Sequence, residues 1–133
     1  MLITMPRDIT NCEDTGFICK EVIYMAGMII WCITIFGCAI LFFGLGIYAE
    51  KREKPMHFWA GTTVDEKKIT DVKAYNKENG RMWKLYSLWY FASGIIYFWN
   101  KGISVALLIL GCTLGIGLLV ATYNKIEKKY KVK

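Results

Sequence analysis

The chain has 133 residues, enough for one domain, and 55% of them are hydrophobic. Charged residues make up 21% and sum to +6, but they are segregated: 22–49 and 102–124 contain no Asp, Glu, Lys or Arg. Burying two such runs on all sides in so small a soluble protein would leave too little polar surface to cover them. The composition therefore argues against a soluble domain. The basic excess sits beside apolar runs without a nucleic-acid motif, which points to anionic lipid headgroups and not to nucleic acid.

Residues 1–21 are polar, with Arg7 and Lys20 against Asp8, Glu13, Asp14 and Glu21. No basic segment followed by a short apolar core appears, so this is not a cleavable signal peptide. Met25 and Met28 would also serve as starts, which makes the segment a candidate dispensable extension. Cys12 and Cys19 are spaced like neither a zinc nor a redox motif, and they read as unpaired thiols or as a pair.

Residues 22–49 form the first predicted membrane span. A helix of that length is about 42 Å long against about 30 Å of hydrocarbon, so it must tilt or protrude. Gly37, Gly44 and Gly46 would let a neighbouring helix approach. Lys51, Arg52 and Lys54 end the span, and Pro55 prevents helix continuation.

The stretch His57–Gly80 holds most of the polar residues outside the termini, and it is the expected organising element. His57, Phe58 and Trp59 form an aromatic patch suited to the headgroup region. Thr63 and Glu66 match a capping box, which predicts a helix from Val64. Ile69, Val72, Tyr75 and Asn76 share one face of it, and Lys67, Asp71, Lys77 and Glu78 lie opposite. This predicts a short amphipathic helix on the membrane surface, bending at Asn79-Gly80. The alternative is one long helix running through Gly80.

Residues 82–100 form the second span, with Trp83 and Trp99 near its ends and Lys84 close enough to one end to snorkel. Asn100-Lys101-Gly102 is a tight turn, and 103–123 form the third span. That span carries Gly111 and Gly115 in a GxxxG pattern, better suited to packing within the chain than to dimerisation. Ser87, Ser93, Ser104 and Thr113 read as helix–helix hydrogen-bonding groups. Residues 124–133 are a basic tail.

The fold expected is all-α: three transmembrane helices plus one interfacial helix between the first two spans. The loop 50–81 and the tail carry thirteen basic residues, against Arg7, Lys20 and Lys101 on the other side. By the positive-inside rule the N-terminus lies outside a plasma membrane, and the loop and tail are cytoplasmic.

No catalytic constellation, phosphate-cradling loop or metal-ligand spacing appears, and no cofactor is expected. The segments 43–49, 54–61 and 69–83, with Asp71-Val72-x-x-Tyr75-Asn76-x-x-x-Gly80 as the most specific part, resemble a family of small three-span membrane proteins from Clostridia-like Gram-positive bacteria. That resemblance implies fold and location but no activity. There is a fainter similarity to SdpI-type immunity proteins, without their Arg-rich turn and His-Arg pair. The expectation is a non-enzymatic membrane protein acting through contacts, as an accessory or immunity-like factor. Asp71, Tyr75, Asn76, Asn79 and Gly80 are its candidate contact surface, or else they only anchor the helix. A second copy or another membrane protein is the candidate partner, and a holin-like pore-former or a small oligomeric transporter is the alternative.

Overall fold

A computed structural model describes residues 16–58 and 64–133. Among them the chain is all-helical, and its only bridge of strand type is the isolated pair Ile69–Lys131. Helix α1 spans Gly16–Lys51, α2 spans Val72–Ile96, α3 spans Lys101–Leu110 and α4 spans Ile116–Tyr130. Between α3 and α4, Gly111–Gly115 is π-helical, so 101–130 is one rod with a wider turn in its middle.

Contacts define the topology. From Gly46 back to Trp31, α1 meets α2 from Gly80 forward to Tyr97, so the two are antiparallel. Helix α2 then meets the C-terminal rod in the opposite sense, from Ser93 against Ser104 down to Tyr75 against Tyr123. Helix α2 is the central element, flanked by the other two.

The boundaries follow from local chemistry. Asp71 caps α2, its carboxylate accepting from the Ala74 amide at 2.9 Å. Asn100 caps α3 in the same way, accepting from the Ile103 amide at 3.0 Å. Helix α1 stops at Lys51, four residues before Pro55, with that basic residue in its last turn.

This corrects the expected interfacial helix. Glu66–Lys68 makes a single 3-10 turn capped by Asp65, and α2 begins only at Val72 and runs unbroken through Asn79 and Gly80. The chain takes the long-helix alternative, because two Asp caps separate turn from helix and nothing interrupts α2 before Ile96. Thr63 of the expected capping box lies outside the described residues. The basic tail is also not a free end. Helix α4 carries it to Tyr130, after which Val132 donates its amide to the Lys68 carbonyl and Thr70 donates to Tyr130.

Two helical segments, Ile18–Lys51 and Lys101–Tyr130, are long and apolar enough to cross a membrane. They are not core helices in this fold, since only 11% and 17% of their most apolar stretches is buried. Ile23, Ile30, Ile33, Ile40 and Leu41 of α1 and Leu114 and Leu118 of the rod are exposed. The buried residues form two groups along α2. One surrounds Tyr75, Met82 and Tyr123 at the loop end, and the other surrounds Ile35, Ala39 and Tyr90 mid-helix.

Candidate functional site

The residues expected to form a contact surface are drawn together, but they face inward. Tyr75, Asn76 and Asn79 are fully buried, and Gly80 is buried with them. Asn76 pins the segment that follows α1. Its carbonyl oxygen accepts from the Met56 amide at 2.7 Å, and its amide donates to the carbonyls of Arg52 and Lys54 at 2.8 and 2.9 Å. One side chain thereby satisfies three backbone groups of an irregular strap, groups that would otherwise be costly to bury. The Tyr75 hydroxyl lies 2.9 Å from the Met56 carbonyl and 3.0 Å from the Tyr123 hydroxyl. A phenol has one proton to donate, so Tyr75 serves Met56 and Tyr123 serves Tyr75. Burial, with Tyr123 alongside, pushes the Tyr75 phenol far above its ordinary value, so Tyr75 stays a neutral hydroxyl.

Asn79 donates to the Tyr75 carbonyl one turn back, and its own carbonyl oxygen has no partner among the described residues. Asp71 is exposed and acts as the helix cap.

Above this latch α1 and α2 touch. A Cβ built on Gly80 would stand 2.6 Å from the Gly46 carbonyl oxygen, and one on Gly46 would stand 2.7 Å from that of Gly80. Lys84 and Glu50 close the contact with a 2.6 Å ion pair, about one third exposed on each side. Lys84 therefore pairs across the helices where snorkelling alone was expected. Of the expected packing glycines, Gly37 and Gly44 have no neighbour among the described residues within 4 Å of where a Cβ would be. Gly46 does pack, and Gly94 of α2 joins it, because they lie on the flank of each helix that meets the other.

The C-terminal rod is held by a different set. Ser93 and Ser104, both fully buried, exchange hydroxyl-to-carbonyl bonds at 2.9 and 2.7 Å. Ser87 and Thr113 instead bond within their own helices, to the carbonyls of Lys84 and Ile109. At the π-helical turn, Trp89 Nε1 donates to the Leu107 carbonyl and the Tyr86 hydroxyl donates to the Gly111 carbonyl, at 2.8 and 2.9 Å. A π turn disrupts the regular ladder, and two ring donors from α2 meet carbonyls there. Gly111 and Gly115 make room for those rings: a Cβ on Gly111 would stand 2.7 Å from Trp89, and one on Gly115 would stand 3.0 Å from Tyr86.

The aromatic anchors divide. Trp99 is 79% exposed at the turn beyond α2. Trp83 is half-buried and stacks between Phe42 and Phe58, with centroids 5.8 and 5.7 Å away. Phe58 also packs against Tyr123, and His57 beside it is half-buried. Trp59 lies outside the described residues.

Between α2 and the rod runs a groove of two adjoining parts, of about 390 and 350 Å³. Met82, Leu85 and Thr122 belong to both. The upper part is apolar, and the lower part is edged by Glu78, Arg81, Lys125 and Lys129. At that lower edge Lys129 pairs with Glu78, and the Tyr130 hydroxyl donates to the same carboxylate. The Lys129 ammonium and the Tyr130 hydroxyl hold the Glu78 carboxyl below its ordinary value. Among the described residues no group of three His, Cys, Asp or Glu side chains converges as a metal site.

The sequence pattern missed Glu50, Tyr123 and the Arg81–Lys125 edge. Glu50 has a signal in retrospect, as the carboxylate that directly follows the first charge-free run, where the basic cluster of Lys51, Arg52 and Lys54 begins. No protein-family model matches the chain, and neither a characterised protein nor a solved structure is similar to it.

Proposed function

We propose that the chain is an integral membrane protein with three spans, in which the second lies within α2 between the two long apolar helices. The N-terminus is outside, and the 52–71 connection and the C-terminus are cytoplasmic. One observation carries this reading. The apolar side chains of α1 and of the rod face outward, while charged residues collect where the loop and the end of α4 meet. An apolar surface of that extent needs a bilayer or another protein against it. The Ser93–Ser104 exchange supports the second span, since hydroxyls at membrane depth need such partners.

In this reading the protein is a non-enzymatic accessory or immunity-like factor that works by contact. Tyr75, Asn76, Asn79 and Gly80 frame its cytoplasmic end, and recognition falls to the outward faces. Its partner there is a second copy or another membrane protein. The test is alkaline carbonate extraction, together with maleimide labelling of a Lys133→Cys variant, in a background without native cysteines, in intact and opened cells. Retention in the membrane pellet and labelling only after opening are expected. Release by carbonate would overturn the membrane assignment, and labelling in intact cells would overturn the orientation.

A further inference from the structure

We propose that the groove between α2 and the C-terminal rod is a binding site for one anionic glycerophospholipid, its phosphate on Arg81 and Lys125 and an acyl chain along the apolar part. The proposal rests on the membrane reading above and adds a defined ligand to it.

Three features lead to this occupant. First, the groove changes character along its length. Leu110, Leu114 and Leu118 of the rod face Trp89 and Leu85 of α2, whereas the lower end holds three cations and one carboxylate. An amphipathic ligand with an anionic head matches both halves at once. Second, the cations are unequally engaged. Lys129 is committed to Glu78, while Arg81 and Lys125 form no ion pair among the described residues. Both are exposed at the lower edge, so two positive charges stand ready beside an already neutralised pair. The Glu78 carboxylate would repel a phosphate, and its pairing with Lys129 screens that repulsion.

Third, the dimensions fit one leaflet. From Lys125 up to Leu110 the rod rises about 22 Å, at about 1.5 Å per residue. That exceeds the roughly 15 Å of hydrocarbon in half a bilayer, enough for a head at the interface and a chain below it. Each part of the groove falls within the several hundred Å³ usual for small-molecule sites. Gly111 and Gly115 help to line the apolar part. The basic end is also the end assigned to the cytoplasmic leaflet, where anionic lipids concentrate.

The experiment uses the full chain in neutral detergent, titrated with phosphatidylglycerol or phosphatidylcholine, with native mass spectrometry counting bound lipid. One tightly bound phosphatidylglycerol is expected, with phosphatidylcholine much weaker. The Arg81→Gln/Lys125→Gln variant should lose roughly thirtyfold in affinity, as removal of two basic contacts implies. A Lys67→Gln/Lys68→Gln variant, which removes equal charge on the same end away from the groove, should bind as the parent does. Equal binding of the two lipids, equal loss in both variants, or displacement by inorganic phosphate at matched concentration would each overturn the site. Because the chain's retention in carbonate-washed membranes is measured separately, a failed lipid preference in a membrane-retained chain sinks only this proposal.

Discussion

Gly46 of α1 and Gly80 of α2 face each other so closely that a methyl group on either would overlap the other's carbonyl oxygen. This contact sets the spacing of the two helices at the loop end. It also explains a glycine in the middle of α2, where glycine costs a helix about 1 kcal/mol relative to alanine.

Gly80→Ala should therefore destabilise the fold despite improving helix propensity. Its new Cβ meets backbone as well as the flexible Glu50 side chain, and overpacking of this kind costs about 1–3 kcal/mol. Gly37→Ala, which meets nothing, should be neutral or stabilising by up to about 1 kcal/mol. Thermal unfolding of both variants in the same detergent checks the contrast, and equal effects would contradict it.

Asn76→Ala removes three hydrogen bonds to the strap after α1. A buried group left unpaired costs about 1–3 kcal/mol, and the Met56 amide is the group with no ready replacement. The strap between Arg52 and Phe58 should become protease-sensitive while α1 and α2 persist by circular dichroism. Asn76→Asp should not rescue it, because a carboxylate accepts from Met56 but cannot donate to Arg52 and Lys54.

The Glu50–Lys84 pair predicts an asymmetry. Lys84→Met leaves a half-buried carboxylate unpaired, so it should destabilise more than the double variant Glu50→Met/Lys84→Met. A double-mutant cycle should give a coupling of about 1 kcal/mol or less in magnitude at this exposure. A coupling of zero would make the pair incidental.

Docking of the α4 terminus should depend on pH at both extremes. The Glu78 carboxyl is held below its ordinary 4.5 by Lys129 and Tyr130, so its contribution is present above that value and lost as pH falls through the lower folded value. Lys129 and Tyr130 are both raised by Glu78, from 10.5 and 10.0. Their contributions are present below those values and lost as pH rises through the raised ones. Accessibility of a Val132→Cys thiol should be lowest between about 5 and 10 and rise outside that window. In Glu78→Gln the acid-side rise should disappear, with the thiol accessible throughout.

Ile69, Tyr75 and Asn76 show how far residue pattern reaches. The pattern put them on one helix face, and Tyr75 and Asn76 do lie together on the buried side of α2, but Ile69 precedes the Asp71 cap and lies outside the helix. Periodicity could not say that the face is covered by the strap around Met56 and by Tyr123, since those partners lie 19 to 48 residues away in sequence. The same limit applies to the glycines. Gly37 and Gly44 are as frequent a motif as Gly46, and only the flank on which α2 docks separates them.

From sequence alone follow the helical class, the two charge-free apolar runs and the concentration of basic residues at one end. These depend on local composition, which acts wherever the chain is placed. Tertiary structure decided the rest. It merged the expected surface helix into α2, carried the tail into α4 and back against Lys68, and turned Tyr75 and Asn76 inward. It also aligned Arg81 with Lys125. Each of these depends on which side chains from distant segments meet, because a buried polar group or a crowded glycine is satisfied or strained only by its neighbour in space.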